Sequence, residues 1–379
     1  MFTLDDPIAL TAELIGIDTS NGAEDGCTGP LARQLQHAGL DVTMVESEPG
    51  RTNLVATWRG GGGLVLSAHV DTVPFTAAEW TYPPLSGEVV GDRIYGRGAS
   101  DMKGGLAAMV VAACQAAGEG GPPFTLLVTI GEELGCQGAD DVVGRGVLGE
   151  SSVFVIGEST GNALRFGHKG ATWLRLTCRG RAAHGSQPEL GTNAVVQMMR
   201  VIQGVCAGFD FPAHEQLGKA TVNVGTFAGG VQPNIVPDLA TAELDFRTVP
   251  GVDGSEIRMF VQDHQPDVLL DELLDLSYVW TDPISSLSRQ LRQTVASVTG
   301  EADTEPAGVP YFTDGSLLRR VPGSHVYICG PGDPSEPHTA NESCSIAGIH
   351  EAQAIYRRLI EDAGDLARRA ADDVRGDQA

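Results

Sequence analysis

Five short stretches of this chain carry side chains able to bind metal or move protons, and they are scattered between residues 67 and 342. The first, Ser67-Ala68-His69-Val70-Asp71, closes an apolar run. On a strand, His69 and Asp71 project from one face, and a carboxylate beside an imidazole can fix a metal-binding ring. Taken alone, the pair also reads as a hydrogen-bonded strand end. The second, Gly96-Arg97-Gly98-Ala99-Ser100-Asp101-Met102-Lys103-Gly104-Gly105, sets Asp101 in a glycine-rich loop before a helix. Its two oxygens can bridge two cations, or it can simply cap the helix. In Gly131-Glu132-Glu133, adjacent carboxylates follow an apolar strand, at the edge where parallel sheets build their ligand sites. Neighbouring side chains point different ways, so one glutamate can bind metal while the other faces a water as general base. Gly157-Glu158 repeats the theme after the next apolar strand, and Glu336-Pro337-His338-Thr339-Ala340-Asn341-Glu342 offers an imidazole and an amide.

As a set these residues say more than singly. Two histidines with three carboxylates, and no sulfur, suit zinc, cobalt or manganese better than calcium. A bridging carboxylate with one further histidine and glutamate on each ion makes two equivalent sites. Such a pair activates water and stabilises a hydrolytic transition state.

Elements must bring these stretches together. Asp6 and Pro7 start a helix carrying Leu10, Leu14 and Ile17, and a second helix runs from about residue 28 to 39. Strands at 53–58 and 64–69 flank Gly60–Gly63 and are expected to form a hairpin. An alanine-rich helix at 104–117, a strand at 124–130, a helix at 139–148 and a strand at 153–156 follow. This alternation predicts α/β with a mainly parallel sheet. From about residue 171 the pattern becomes antiparallel: strands at 173–178, 221–227, 240–247 and 273–280, with helices at 193–205 and from 254. That β-α-β-β-α-β order predicts an inserted α+β domain. The α/β pattern then resumes and ends in one long helix from Ser345. The expected domains are 1–170 and 284–379, forming one catalytic domain in two segments, with 171–283 inserted.

Composition narrows the partners. Of 379 residues, 42% are hydrophobic and 20% charged, as in ordinary globular proteins. Twenty-five basic against 49 acidic residues leave a net charge of −24, which repels phosphate backbones and argues against nucleic acid. No run approaches the ~18 apolar residues of a membrane span. The acidic start, Met1 to Asp6, does not resemble a secretory signal, so a cytoplasmic location is expected. Seven cysteines with no C-x-x-C pair suggest neither a disulfide framework nor a thiolate metal site.

The order H-x-D, G-R-G-x-x-D-M-K-G-G, G-E-E, G-E and H-x-x-N-E resembles the metallopeptidase family of acetylornithine deacetylase, succinyl-diaminopimelate desuccinylase, aminoacylase and glutamate carboxypeptidase. The resemblance spans nearly the whole chain. It implies a zinc-peptidase-like catalytic domain with an inserted ferredoxin-like lid and dimerisation domain. It implies two metal ions per subunit, zinc first and cobalt or manganese next. Asp101 would bridge them, His69 and Glu158 would complete one site, and Glu133 and His338 the other. Asp71 would orient His69, Glu132 would activate the water, and a cis peptide would follow Asp101. In the lid, His184 of Gly180-Arg181-Ala182-Ala183-His184-Gly185-Ser186 would polarise the scissile carbonyl, and in dimeric relatives it arrives from the partner subunit, which implies a homodimer. Asn234, Arg247 and Asn341 would contact substrate, and Thr313 and Gly315 would line its pocket. The implied reaction is hydrolysis of a small N-acyl amino acid. A dipeptidase or carboxypeptidase with the same centre is the alternative, and an inactive binding homologue a remote one.

Overall fold

The computed structural model describes residues 2–20, 22–149, 151–264, 267–300 and 305–376. The chain forms two compact units. The first comprises Met1–Gly167, Trp280–Ala307 and Thr313–Ala379, and the second His168–Val279 with Gly308–Phe312.

The first unit is built on a six-stranded sheet. In spatial order its strands are Asp41–Glu48, Arg51–Trp58, Phe124–Thr129, Leu64–His69, Val153–Ile156 and His325–Ile328. The last four run parallel, and the first two are antiparallel additions at one edge. Leu64–His69, Phe124–Thr129 and Val153–Ile156 are buried throughout, as continuous apolar strands covered on both faces should be. Against this sheet lies the helix Gly104–Gly118, whose Leu106, Met109, Val110 and Val111 are fully buried. Each such side chain contributes about 1.5–3 kcal/mol. Its two leading glycines allow close approach. A Cβ on Gly105 would lie 2.4 Å from the Gly157 carbonyl oxygen, so this helix start and the Gly157-Glu158 loop fit only without a side chain.

Three expectations are corrected here. Strands 53–58 and 64–69 are not a hairpin, because Phe124–Thr129 inserts between them. The apolar 64–69 segment gains more burial between two parallel partners than it would at an edge. The hairpin partner of Arg51–Trp58 is Asp41–Glu48, turning at Gly50 with φ 84°. The second helix starts at Asp25, earlier than 28, and carries Pro30 inside it. The carboxyl-terminal helix is two helices, Ile346–Glu361 and Ala363–Gly376, separated at Asp362.

The second unit holds a four-stranded antiparallel sheet in the order Thr221–Gly229, Leu239–Thr248, Gly170–Arg179, Leu269–Leu276. With helices Ala194–Gly208 and Gly254–His264 in the β-α-β-β-α-β sequence, this is the ferredoxin-like arrangement. Alternation sorts its faces. Leu174, Leu176, Leu244 and Phe246 are buried, whereas Trp173, Arg175, Asp245 and Arg247 occupy the more open face.

Among the described residues, no helix is long and apolar enough to cross a membrane.

Candidate metal centre

Four polar residues mark the carboxyl ends of three adjacent parallel strands. His69 ends the first, Glu132 and Glu133 follow the second after Gly131 (φ 62°), and Glu158 follows the third. Asp101 comes from the loop before the alanine-rich helix, where it is extended (φ −120°, ψ 92°) and its bond to Met102 is cis. His338 approaches from the far end of the chain in a left-handed conformation (φ 64°).

Asp101 lies between the two histidines. His69 Nε2 is 3.0 Å from Asp101 Oδ1, and His338 Nε2 is 3.5 Å from Asp101 Oδ2. His69 Nε2 is also 3.3 Å from Glu158 Oε1, and His338 Nε2 is 3.1 Å from Glu133 Oε2. Donor atoms of His69, Asp101 and Glu133 all lie within 4.8 Å of one another, as do those of His69, Glu132 and Glu158. The structure thus gathers His69, Asp101, Glu133, Glu158 and His338 around one spot, with Glu132 beside it.

This cluster is short of positive charge. Among the described residues, no lysine or arginine pairs with Asp71, Asp101, Glu132, Glu133 or Glu158. Burial pushes Glu158 up to about 7, with the Asp101 charge adding to it. Burial also raises Glu132 well above the usual carboxylate range, and raises Glu133. Burial alone would lower the His69 imidazole, but bonds to Asp101, Asp71 and Glu158 hold it well above its ordinary value. Buried carboxylates at this density call for cations. Oxygen and imidazole donors without sulfur fit a pair of divalent ions of the zinc, cobalt or manganese type.

Outer contacts hold the donors in place. The main-chain carbonyl of Asp71 accepts from His69 Nδ1 at 3.0 Å, while its carboxylate is 3.5 Å from that nitrogen. The Asp71 carboxylate instead accepts the main-chain N–H groups of Glu132 (3.2 Å) and Glu133 (3.1 Å). The carboxylate thus fastens the Glu-Glu turn, while the main-chain carbonyl of the same residue meets the imidazole.

Two carboxylates received no role from the sequence. Glu342, wholly buried, accepts from the N–H groups of Gly98, Ser100 and Asp101 at 2.9–3.0 Å and from Arg97 at 2.7 Å. It anchors the Asp101 loop. Asp314 is buried, accepts from Thr129 Oγ1 at 2.6 Å, and is pushed up to about 6 by burial. The only sequence signal was their place inside motifs: Glu342 ends H-x-x-N-E, and Asp314 sits between Thr313 and Gly315.

The remaining expected residues make contacts of their own. Asn341 (φ 60°) turns its amide oxygen to the N–H groups of Thr81 (2.6 Å) and Tyr82 (3.2 Å), bracing that loop. Thr313 Oγ1 accepts from Gly315 N–H, and both residues are buried at the start of the short helix Gly315–Leu318. In the second unit, His184 is exposed and bridges to Ile235, next to Asn234. Arg247 is tied to Asp245 (Nη2 to Oδ2, 3.0 Å) and lies 5.5 Å over the Phe312 ring. Asp245 is itself held by Trp173 Nε1 at 2.9 Å. Lys169 is a neighbouring cation on the same unit, held low by burial and by Arg247.

Residues 65–362 match the model of peptidase family M20/M25/M40. The chain belongs to this family. As an M20 member it is a metal-dependent hydrolase. It is 29% identical over 377 residues to a succinyl-diaminopimelate desuccinylase from Cereibacter sphaeroides, covering 94% of this chain and 98% of that one. Its fold is similar to that of an M20 family metallo-carboxypeptidase from Sulfolobus solfataricus, with TM-score 0.78, 19% identity and coverage of 94% and 99%. It is also similar in fold to a dinuclear metal-binding M20 peptidase from Bacillus subtilis, with TM-score 0.71, 16% identity and coverage of 94% and 96%.

Proposed function

We propose that this M20 hydrolase cleaves the amide bond of a small N-acyl amino acid, of the acetylornithine or succinyl-diaminopimelate kind, releasing a carboxylate and a free amino acid. The observation that carries the two-metal part is the placement of Asp101, with a different histidine beside each of its oxygens. In this reading His69, Asp101, Glu133, Glu158 and His338 would hold the ions, with His69 and Glu158 on one side of Asp101 and Glu133 and His338 on the other. Two divalent ions bound there, zinc first and cobalt or manganese as alternatives, would supply Lewis acidity.

The chain's own groups do the rest. Glu132, buried and raised in pKa, takes the proton of the attacking water and passes it to the leaving nitrogen. Asp71 keeps Glu132 and Glu133 in register through their main-chain N–H groups. His184 donates a hydrogen bond to the carbonyl oxygen as charge builds there, a contribution commonly worth about 3–4 kcal/mol. Arg247, stiffened by Asp245 and Phe312, holds a substrate carboxylate with a two-pronged bond, and Asn234 adds a polar contact.

A homodimer is part of this proposal. Val224 and Phe227 on the edge strand Thr221–Gly229, and Met199 on the helix Ala194–Gly208, leave apolar surface exposed for a second copy. A cytoplasmic location fits seven cysteines that are all free.

The relative named as a desuccinylase favours the acyl-amino-acid reading over the dipeptidase or carboxypeptidase one, which would use the same centre. The test is turnover of acetylornithine, succinyl-diaminopimelate and a dipeptide panel by protein dialysed against a chelator and reloaded with zinc or cobalt. Acyl amino acids should be the better substrates and activity should return with metal. Activity indifferent to metal overturns the mechanism, preference for dipeptides overturns the substrate class, and turnover of none leaves a binding protein.

A further inference from the structure

His184 belongs to a segment of the second unit that is zipped to another by main-chain bonds. Val236 N–H donates to the Ala183 carbonyl at 2.9 Å, and Gly185 N–H to the Asn234 carbonyl at 2.8 Å. A Cβ on Gly185 would lie 2.9–3.0 Å from Asn234 main-chain atoms, so glycine alone permits this approach. The imidazole is exposed, yet its backbone is held.

The ring is held too. His184 Nδ1 receives the main-chain N–H of Ser186 at 3.1 Å and lies 2.7 Å from the Ser186 hydroxyl. A main-chain N–H can only donate, so the nitrogen that receives it must present its lone pair. The hydroxyl, which can do either, then also donates. In the neutral imidazole the single proton therefore sits on Nε2.

We propose that Ser186 is a positioning residue that fixes His184 as its Nε2–H tautomer, so that the nitrogen turned away from Ser186 is a hydrogen-bond donor. This deepens the role given to His184 above and rests on it for its catalytic consequence. A carbonyl oxygen gaining negative charge needs a donor opposite it. The other tautomer would offer a lone pair and repel it. Ser186 thus fixes which ring nitrogen of the neutral imidazole is the donor.

The test uses full-length zinc-loaded protein labelled with 15N in histidine. Long-range 1H–15N spectra near neutral pH report which ring nitrogen carries the proton, and His184→Gln identifies the His184 signals by their loss. Nδ1 should be unprotonated and Nε2 protonated in the wild type and in Ser186→Thr. Ser186→Ala keeps the main-chain donor but loses the hydroxyl, so part of the population should move to Nδ1–H. Its kcat should fall about fivefold with KM nearly unchanged, and Ser186→Thr should restore it. An Nδ1–H tautomer in the wild type, or wild-type kcat in Ser186→Ala, overturns the proposal. A resting protein with the Nε2–H tautomer that hydrolyses no amide upholds the tautomer assignment and overturns the function instead.

Discussion

At the scale of single residues, Glu132 and Glu342 make opposite predictions. Glu132 neighbours the proposed ligands without being one, so Glu132→Gln should lower kcat by roughly 10²–10⁴-fold. Metal content should stay at the wild-type level, as elemental analysis would show. Loss of metal in this variant would make Glu132 a ligand. Glu342 lies behind Asp101, where burial and the Asp101 charge push it up to about 7 although Arg97 lowers it. Glu342→Gln leaves the buried Arg97 guanidinium without its charge partner, which should cost about 3–5 kcal/mol. Denaturant titration measures this, and metal affinity should weaken because the Asp101 loop loses its anchor. The difference in legibility between the two is physical. Glu132 stands in a doubled carboxylate after an apolar strand, a pattern written in consecutive residues. Glu342 does its work on N–H groups more than 240 positions away, a relation that no local spacing encodes.

Among elements, the strand ends of the parallel sheet were readable because fully buried strands are unbroken apolar runs, and each polar residue closing such a run stands out. Pairing was not readable. Residues 53–58 and 64–69 look like a hairpin in sequence because a glycine-rich turn joins them, but strand order depends on which partners bury more surface. Likewise a helix start at Gly104 is readable in the sequence, but its partner is not: the structure seats Gly105 against the Gly157 carbonyl. Gly105→Ala should therefore overpack this contact, lowering stability by about 1–3 kcal/mol and displacing Glu158. Reduced metal occupancy with little change in helix content by circular dichroism is the expected signature. A variant as stable and as fully loaded as the wild type would show that the helix yields instead.

For the whole molecule, the crowded carboxylates set a pH dependence in the metal-free protein. Glu158 titrates near 4.5 when unfolded and near about 7 when folded, so the folded form retains its proton longer. Its contribution to stability is thus intact below about pH 4.5 and lost as pH rises through about 7. Glu132, Glu133 and His69 act in the same sense, and Asp101, held low, acts in the opposite one. Carboxylates held low elsewhere, such as Asp253 and Asp333, finish titrating below this window. Chelator-treated protein should therefore show a Tm that falls between about pH 5 and pH 8, and added zinc should raise Tm more at the higher pH. A Tm that rises over this interval would mean that other groups outweigh the cluster. The same molecule departs from its first unit at Gly167, returns at Trp280 and leaves it once more for Gly308–Phe312. A ribosome consequently finishes the intervening unit while the sheet before it still lacks its last parallel strand and His338. Four of the five gathered donors have emerged by then, but the fifth is made more than 170 residues after Glu158. On the proposed ligand set, cation capture at full coordination would therefore wait until His338 is made, and a chain stopped before it would carry only an incomplete, weaker site.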